Sequence, residues 1–415
     1  MLKTPIARGV AFATLGATLA IPTMAQAAFV DDSKVNLELR NFYYNSDNRS
    51  NASTAQSKAE EWAQGFILRA ESGYTEGTVG FGVDALGLLG VNLYSSDDTA
   101  GTGLMPSSFG NEAPDEFSAL GLTAKAKISK TVLKVGTIEP KNMAISRSDS
   151  RLLPQTFKGG QIISNEIDGL TLDAGYLTEE NDRDSTNYED LKYNGKGGAT
   201  GDKPDDFLFA GATYSFTKDL KGAYYYSNLE EVYKQHSFNV IHVLPMGKDQ
   251  SLKTDLRYAR STDDGSSSVD NNAFGAMFTY SISGHSFGLA YQKMSGDTGF
   301  AYTGASTDPY LVNYVMLAAD FANADEKSWQ ARYDYNFAAI GLPGLTFMTR
   351  YVTGDNFGAN GDSKEWERDT DIGYVFQEGT LKNLGVKWRN GTYRSNSSRD
   401  IDQNRLIVSY TIPLM

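Results

Sequence analysis

Cations recur in this chain at alternate positions, with apolar residues filling the gaps between them. Lys125 and Lys127 alternate with Ala124, Ala126 and Ile128, and Lys253, Asp255 and Arg257 stand opposite Leu252, Leu256 and Tyr258. Gln330, Arg332 and Asp334 alternate with Trp329, Ala331, Tyr333 and Tyr335, and Arg350 falls between Thr349 and Tyr351. Lys387 and Arg389 alternate with Val386 and Trp388, and Arg405 opens a run in which Leu406, Val408, Tyr410 and Ile412 share one parity. Fixed cations on one face can replace the hydration of an anion one group at a time and let it go again. Nearby carboxylates, among them Asp255, Asp334, Glu367, Asp369 and Asp371, offer the competing outcome: each cation is neutralised and merely hydrates its surface.

Bond-breaking chemistry has little to work with. The three histidines, His236, His242 and His285, show no metal-ligand spacing with one another or with an acidic residue. No nucleophile elbow, P-loop or dinucleotide fingerprint sits in a strand–turn–helix context. The sequence therefore predicts no enzyme, no cofactor and no metal, although a site assembled from distant strands would leave no local motif.

The elements that would carry these cations are strands, because a period of two puts successive side chains on opposite faces. Segments of about ten residues with ionisable groups in the gaps are the pattern of a membrane β-barrel, lipid outside and water inside. A Lys or Arg facing hydrocarbon at mid-membrane would cost about 2 to 4 kcal/mol, so the cationic parity belongs to the lumen. The fold class is all-β, a transmembrane antiparallel barrel with on the order of 18 to 20 strands at roughly 20 residues per strand and connection. Hydrophilic stretches from Asn45 to Gln56, Asn181 to Asp205, Ser261 to Asn272 and Asn356 to Lys364 read as loops. Aromatic residues at Phe42–Tyr44, Tyr224–Tyr226, Trp366, Tyr374 and Phe376 read as interfacial girdles.

Lys3 and Arg8 precede an apolar run from Gly9 to Ile21 and the small-residue site Ala25-Gln26-Ala27. Residues 1–27 are thus expected to be a cleaved secretory signal and 28–415 the barrel. A mean hydropathy of -0.39 with 12% aromatic residues suits a wall in which only alternate residues meet lipid. The chain has no cysteine, hence no disulfide, and its net charge of -13 argues against a nucleic-acid partner.

The stretch Ser148-Asp149-Ser150-Arg151-Leu152-Leu153-Pro154-Gln155-Thr156-Phe157-Lys158-Gly159-Gly160 resembles the constriction-loop motif of the OprD family of substrate-specific outer-membrane porins. Ser328–Tyr335 followed by Gly341–Tyr351 is similar to a consecutive strand pair of that family, and Arg405–Leu414 to its last strand. The resemblance covers the whole expected mature chain. It implies an 18-stranded Gram-negative barrel narrowed by inward-folded loops, taking up small carboxylate-containing nutrients along a series of wall cations.

On that resemblance Lys387, Arg389 and Arg405 are candidate members of the cationic series, with Arg332 and Arg350 added by parity and by the second block. Parity alone adds Lys125, Lys127 and Arg257. Arg147, Asp149, Arg151, Leu152, Pro154 and Phe157 would form the inward loop; Leu152-Leu153-Pro154 and Phe157 are oddly apolar for a solvated one. Asp308 is the candidate acidic pole. The implied partners are a small organic anion and the lipids and lipopolysaccharide of the outer membrane, with a homotrimer and a monomer both open. The alternatives are a porin selective for basic amino acids, a general porin, a barrel enzyme and an adhesive barrel with an occluded lumen. The chain ends in Leu414-Met415, without the terminal aromatic residue common in such barrels.

Overall fold

The computed structural model describes residues 29–49, 56–198, 204–317 and 320–415. The expected signal, residues 1–27, lies outside the described residues. The strands are Lys34–Arg49 (β1), Lys58–Glu71 (β2), Gly80–Tyr94 (β3), Glu116–Ile128 (β4), Thr131–Ile138 (β5), Thr156–Ser164 (β6), Leu170–Asn181 (β7), Phe207–Ser215 (β8) and Leu220–Leu229 (β9). They continue as Tyr233–Gly247 (β10), Gln250–Asp263 (β11), Asp270–Ile282 (β12), His285–Ser295 (β13), Lys327–Asn336 (β14), Leu345–Phe357 (β15), Ser363–Val375 (β16), Gly385–Ser395 (β17) and Asp400–Pro413 (β18). Every strand pairs antiparallel with its sequence neighbours, and β1 closes on β18 from Asn36↔Pro413 to Arg49↔Asp400. Closure leaves no sheet edge facing lipid, where unpaired backbone groups would find no water.

Alternation sorts each strand as the sequence predicts. In β4, Leu120 is 71% exposed and Leu122 also faces out, while Phe117, Gly121, Thr123 and Lys125 face in and are buried. The strands run further than the polar composition suggested: β1 extends through Asn45 to Arg49, and β11, β12, β15 and β16 take in parts of the stretches read as loops. At the outer rim of a barrel the ladder goes on above the apolar band, so polarity there marks solvent and not the end of pairing.

The aromatic runs are also divided by the pleat. Phe42, Tyr44 and Tyr225 point inward and are buried, which corrects their assignment to a girdle. Tyr224 and Tyr226 flank His236 on the next strand, with ring centroids 6.0 and 5.2 Å away.

Both ends of the barrel sequence lie at the end of the short turns, such as 129–130, 248–249 and 283–284. The longest connections, 95–115, 139–155, 182–206 and 296–326, leave the opposite end. Their apolar residues pack inward on the wall. Leu104 and Met105 of the first, and Leu152 and Leu153 of the second, pack on Phe42, Tyr44, Ala63, Ile67, Leu86 and Leu88 of the wall. Phe300, Tyr310 and Leu311 of the last pack on Ala259, Ala273 and Met294.

Candidate functional site: the constriction

Loop 139–155 enters the lumen because its apolar residues can be buried there and its charges answered there. Leu152 is 0% exposed. Asp149 accepts from Arg40 at 2.7 Å and pairs with Arg147 at 3.1 Å; Arg147 also reaches Glu139 at 3.2 Å, and Glu139 takes Arg69 at 3.0 Å. Burial acts to raise the Asp149 carboxyl, but Arg40 and then Arg147 outweigh it and hold the group below the usual carboxylate range. Loop 296–326 meets this loop where Ala305 N–H donates to Gln155 Oε1 at 3.1 Å. Wall side chains hold its backbone: Arg257 donates to the carbonyls of Asp308 (2.5 Å) and Leu311 (3.0 Å), Gln330 to that of Val312 (3.0 Å), and Arg350 to that of Tyr314.

Two guanidiniums meet where these loops meet. Arg405, 1% exposed, donates to Gln403 Oε1 at 2.6 Å and to the Met316 carbonyl at 3.0 Å. Arg151 donates to the Thr102 carbonyl at 2.9 Å. Both lie over the Tyr44 ring, 5.2 Å (Arg151) and 5.5 Å (Arg405) from its centroid. Among the described residues neither makes an ion pair with a carboxylate. Burial depresses Arg151 to about 10, which leaves it cationic at neutral pH. Toward the short-turn end a cavity of about 470 Å³ opens, lined in part by Glu38, Arg40, Asp149, Arg151, Lys387 and Arg389. Arg389 is held by Asp371 at 3.0 Å; Lys387 is exposed and makes no ion pair among the described residues.

The family model described as "outer membrane porin, OprD family" matches residues 27–414. Porin-like protein GalP of Pseudomonas putida is 38% identical over 408 residues, covering 97% of each chain. The crystal structure of Pseudomonas aeruginosa OpdQ superposes with a TM-score of 0.85 at 57% identity, over 94% of this chain and 100% of that one. That of Pseudomonas aeruginosa OpdK with vanillate does so with a TM-score of 0.86 at 38% identity, over 93% of this chain and 100% of that one. This chain belongs to the OprD family. It is an outer-membrane channel and not an enzyme.

The porin's wall treats the other sequence-predicted cations differently. Arg332 is bidentate to Asp334 at 2.7 and 2.8 Å, Arg350 pairs with Asp369 at 2.7 Å and Arg257 with Asp255 at 3.0 Å. Lys125 is buried against Asp84 at 2.6 Å and donates to the Ser72 carbonyl near the short-turn end, where Lys127 lies 5.5 Å from the centre of the Tyr74 ring. Phe157 is not in the inward loop: it belongs to β6 and packs on Ile138, Ala144 and Ile145. Asp149 is neutralised by Arg40 and Arg147 and not by Arg151, because the guanidinium of Arg151 turns to Tyr44 and Thr102. Asp308 lies exposed on loop 296–326.

Arg40, Glu38 and Tyr44 were missed. Glu38 and Arg40 carried a readable signal, since both alternate with Leu37 and Leu39. Tyr44 carried none, because an aromatic residue near a strand end fits a girdle equally well.

Proposed function

We propose that this porin conducts small organic carboxylates passively, through a lumen whose decisive feature is the pair Arg151 and Arg405, both over the Tyr44 ring. Two guanidiniums that make no ion pair among the described residues are short of an anion, and a passing carboxylate can supply it. Lys387 offers a further open cation below them, and Arg389, shared with Asp371, a weaker one. Successive partial sites keep binding loose enough for release. A flat aromatic acid suits this lumen, since its ring can take a guanidinium over its face as Tyr44 does. The relative that was crystallised with vanillate, an aromatic carboxylate, supports the same substrate class.

Selectivity for basic amino acids would need a free carboxylate to answer the substrate amine as water is stripped. Asp149 is already answered by two arginines, which leaves the exposed Asp308 of loop 296–326 as the candidate acidic pole. Uptake of labelled benzoate-like acids and of arginine into proteoliposomes tests the proposal. Benzoate-like acids are expected to enter faster; faster arginine uptake would overturn the reading and make Asp308 the first residue to replace.

A further inference from the structure

Besides the anchors already described, loop 296–326 is held to the wall at Met316 and Leu317. Met316 N–H donates to two carboxylates at once, Glu367 Oε1 at 3.0 Å and Asp369 Oδ2 at 3.1 Å, and Leu317 N–H donates to the same Glu367 oxygen at 2.8 Å. The Met316 carbonyl in turn accepts from Arg405 at 3.0 Å. Met316 therefore couples two wall carboxylates to the guanidinium at the constriction.

Glu367 and Asp369 stand two residues apart on β16, so they share its inner face, and both are 0% exposed. Glu367 Oε2 and Asp369 Oδ1 are buried with no hydrogen-bond donor among the described residues. Among the described residues one cation serves the pair, Arg350 of β15, bound to Asp369 at 2.7 Å. The other charged and titratable groups around them are committed elsewhere. Asp371 on β16 is taken by Arg389 of β17, and the Tyr393 hydroxyl of β17 donates to Glu365 of β16. Arg405 of β18 reaches the pair only through Met316; on the loop, Asp320 accepts from Thr307 Oγ1 and Val315 N–H, and Tyr314 offers Arg350 its carbonyl. Two adjacent buried carboxylates with one guanidinium leave a negative charge unanswered.

We propose that Glu367 and Asp369 hold one proton between them and are positioning residues for the constriction. With the proton in place the two carboxyls sit side by side and clamp Met316 and, through it, Arg405; its loss sets two like charges together, drives one carboxylate off Met316, loosens loop 296–326 at its contact with Arg405 and widens the channel. The far end of the loop is built in the same way. The Asn323 amide donates to both Glu326 (2.8 Å) and Glu365 (3.4 Å), and burial first, Glu365 second, push the Glu326 carboxyl up. Both anchors therefore loosen in one direction, as pH rises.

The test is single-channel conductance in potassium chloride from about pH 5 to about pH 10. Wild-type conductance is expected to rise about twofold or more across that range. Glu367→Gln keeps an acceptor for Met316 and Leu317 without needing a proton, so it should stay at the low level throughout; Glu367→Ala should stay at the high level. Heat-resistant migration of each barrel in a denaturing gel shows that the wall is intact. A wild-type conductance indifferent to pH, or a Glu367→Gln channel that titrates like wild type, would overturn the proposal. Chloride salt is the probe, so the outcome does not depend on which carboxylate the porin carries.

Discussion

Arg389 and Arg405 stand directly opposite each other across β17 and β18, yet one is ion-paired and the other is not. Asp371 on β16 lies within 3.0 Å of Arg389, while Arg405, one strand further round, finds Gln403, the Met316 and Ser150 carbonyls and the Tyr44 ring, and no carboxylate among the described residues. Two arginines of the same type, height and face thus differ in what they leave for an anion.

Replacing Arg405 with glutamine is expected to lower the anion-to-cation permeability ratio at least about twofold, and Arg151→Gln to do the same. Arg332→Gln should do much less, because Asp334 already neutralises that guanidinium. Reversal potentials in a salt gradient rank the three. Equal effects would mean that pairing does not decide which cations an anion meets.

Lys387→Gln with Arg389→Gln should also reduce anion preference while the barrel folds normally, since both side chains stand on the lumen face and the strand ladder needs neither. A reversal potential identical to wild type would place both outside the conducting path.

Leu152→Ala removes a side chain packed between loop 139–155 and the wall, at a cost of about 2 to 5 kcal/mol of local packing. The loop should loosen and conductance become larger and noisier, with the closed barrel retained. Unaltered traces would show that the ion pairs of Asp149 suffice to hold the loop.

Those ion pairs have their own pH dependence. The Asp149 carboxyl is held below its unfolded value of about 3.9, so its contribution is complete above that pH and is lost as pH falls through the lower, folded value. The constriction should therefore withstand pH 5 and give way only in stronger acid. Asp149→Asn should show the loosened behaviour already at neutral pH. Conductance recorded from neutral to about pH 3 distinguishes the two.

Gly136 has φ 130°, and a Cβ added there would lie 2.2 Å from the Leu122 carbonyl oxygen, where β5 meets β4. Gly136→Ala is expected to cost about 1 to 3 kcal/mol and to lower the temperature at which the barrel loses its heat-resistant gel mobility. An unshifted transition would mean that the strand pair relaxes without strain.

The sequence by itself determined the wall. Alternation is local, so the inward parity of Lys125, Arg257, Arg332, Arg350, Lys387, Arg389 and Arg405 could be read from neighbours along one strand. The apolar Leu152-Leu153 pair likewise announced a loop that seeks burial, whereas the boundary at Phe157 did not show, because inward burial looks the same for a loop and for the first residues of a strand. Only the tertiary structure decided which cations are spent. Whether Arg332 is neutralised follows from Asp334 two residues away, but the freedom of Arg405 depends on Met316 and Tyr44, and the pairing of Asp149 depends on Arg40, more than a hundred residues distant. Electrostatic balance is settled by distances across the lumen, and those are fixed by register, closure and the path of two long loops, none of which a period of two encodes.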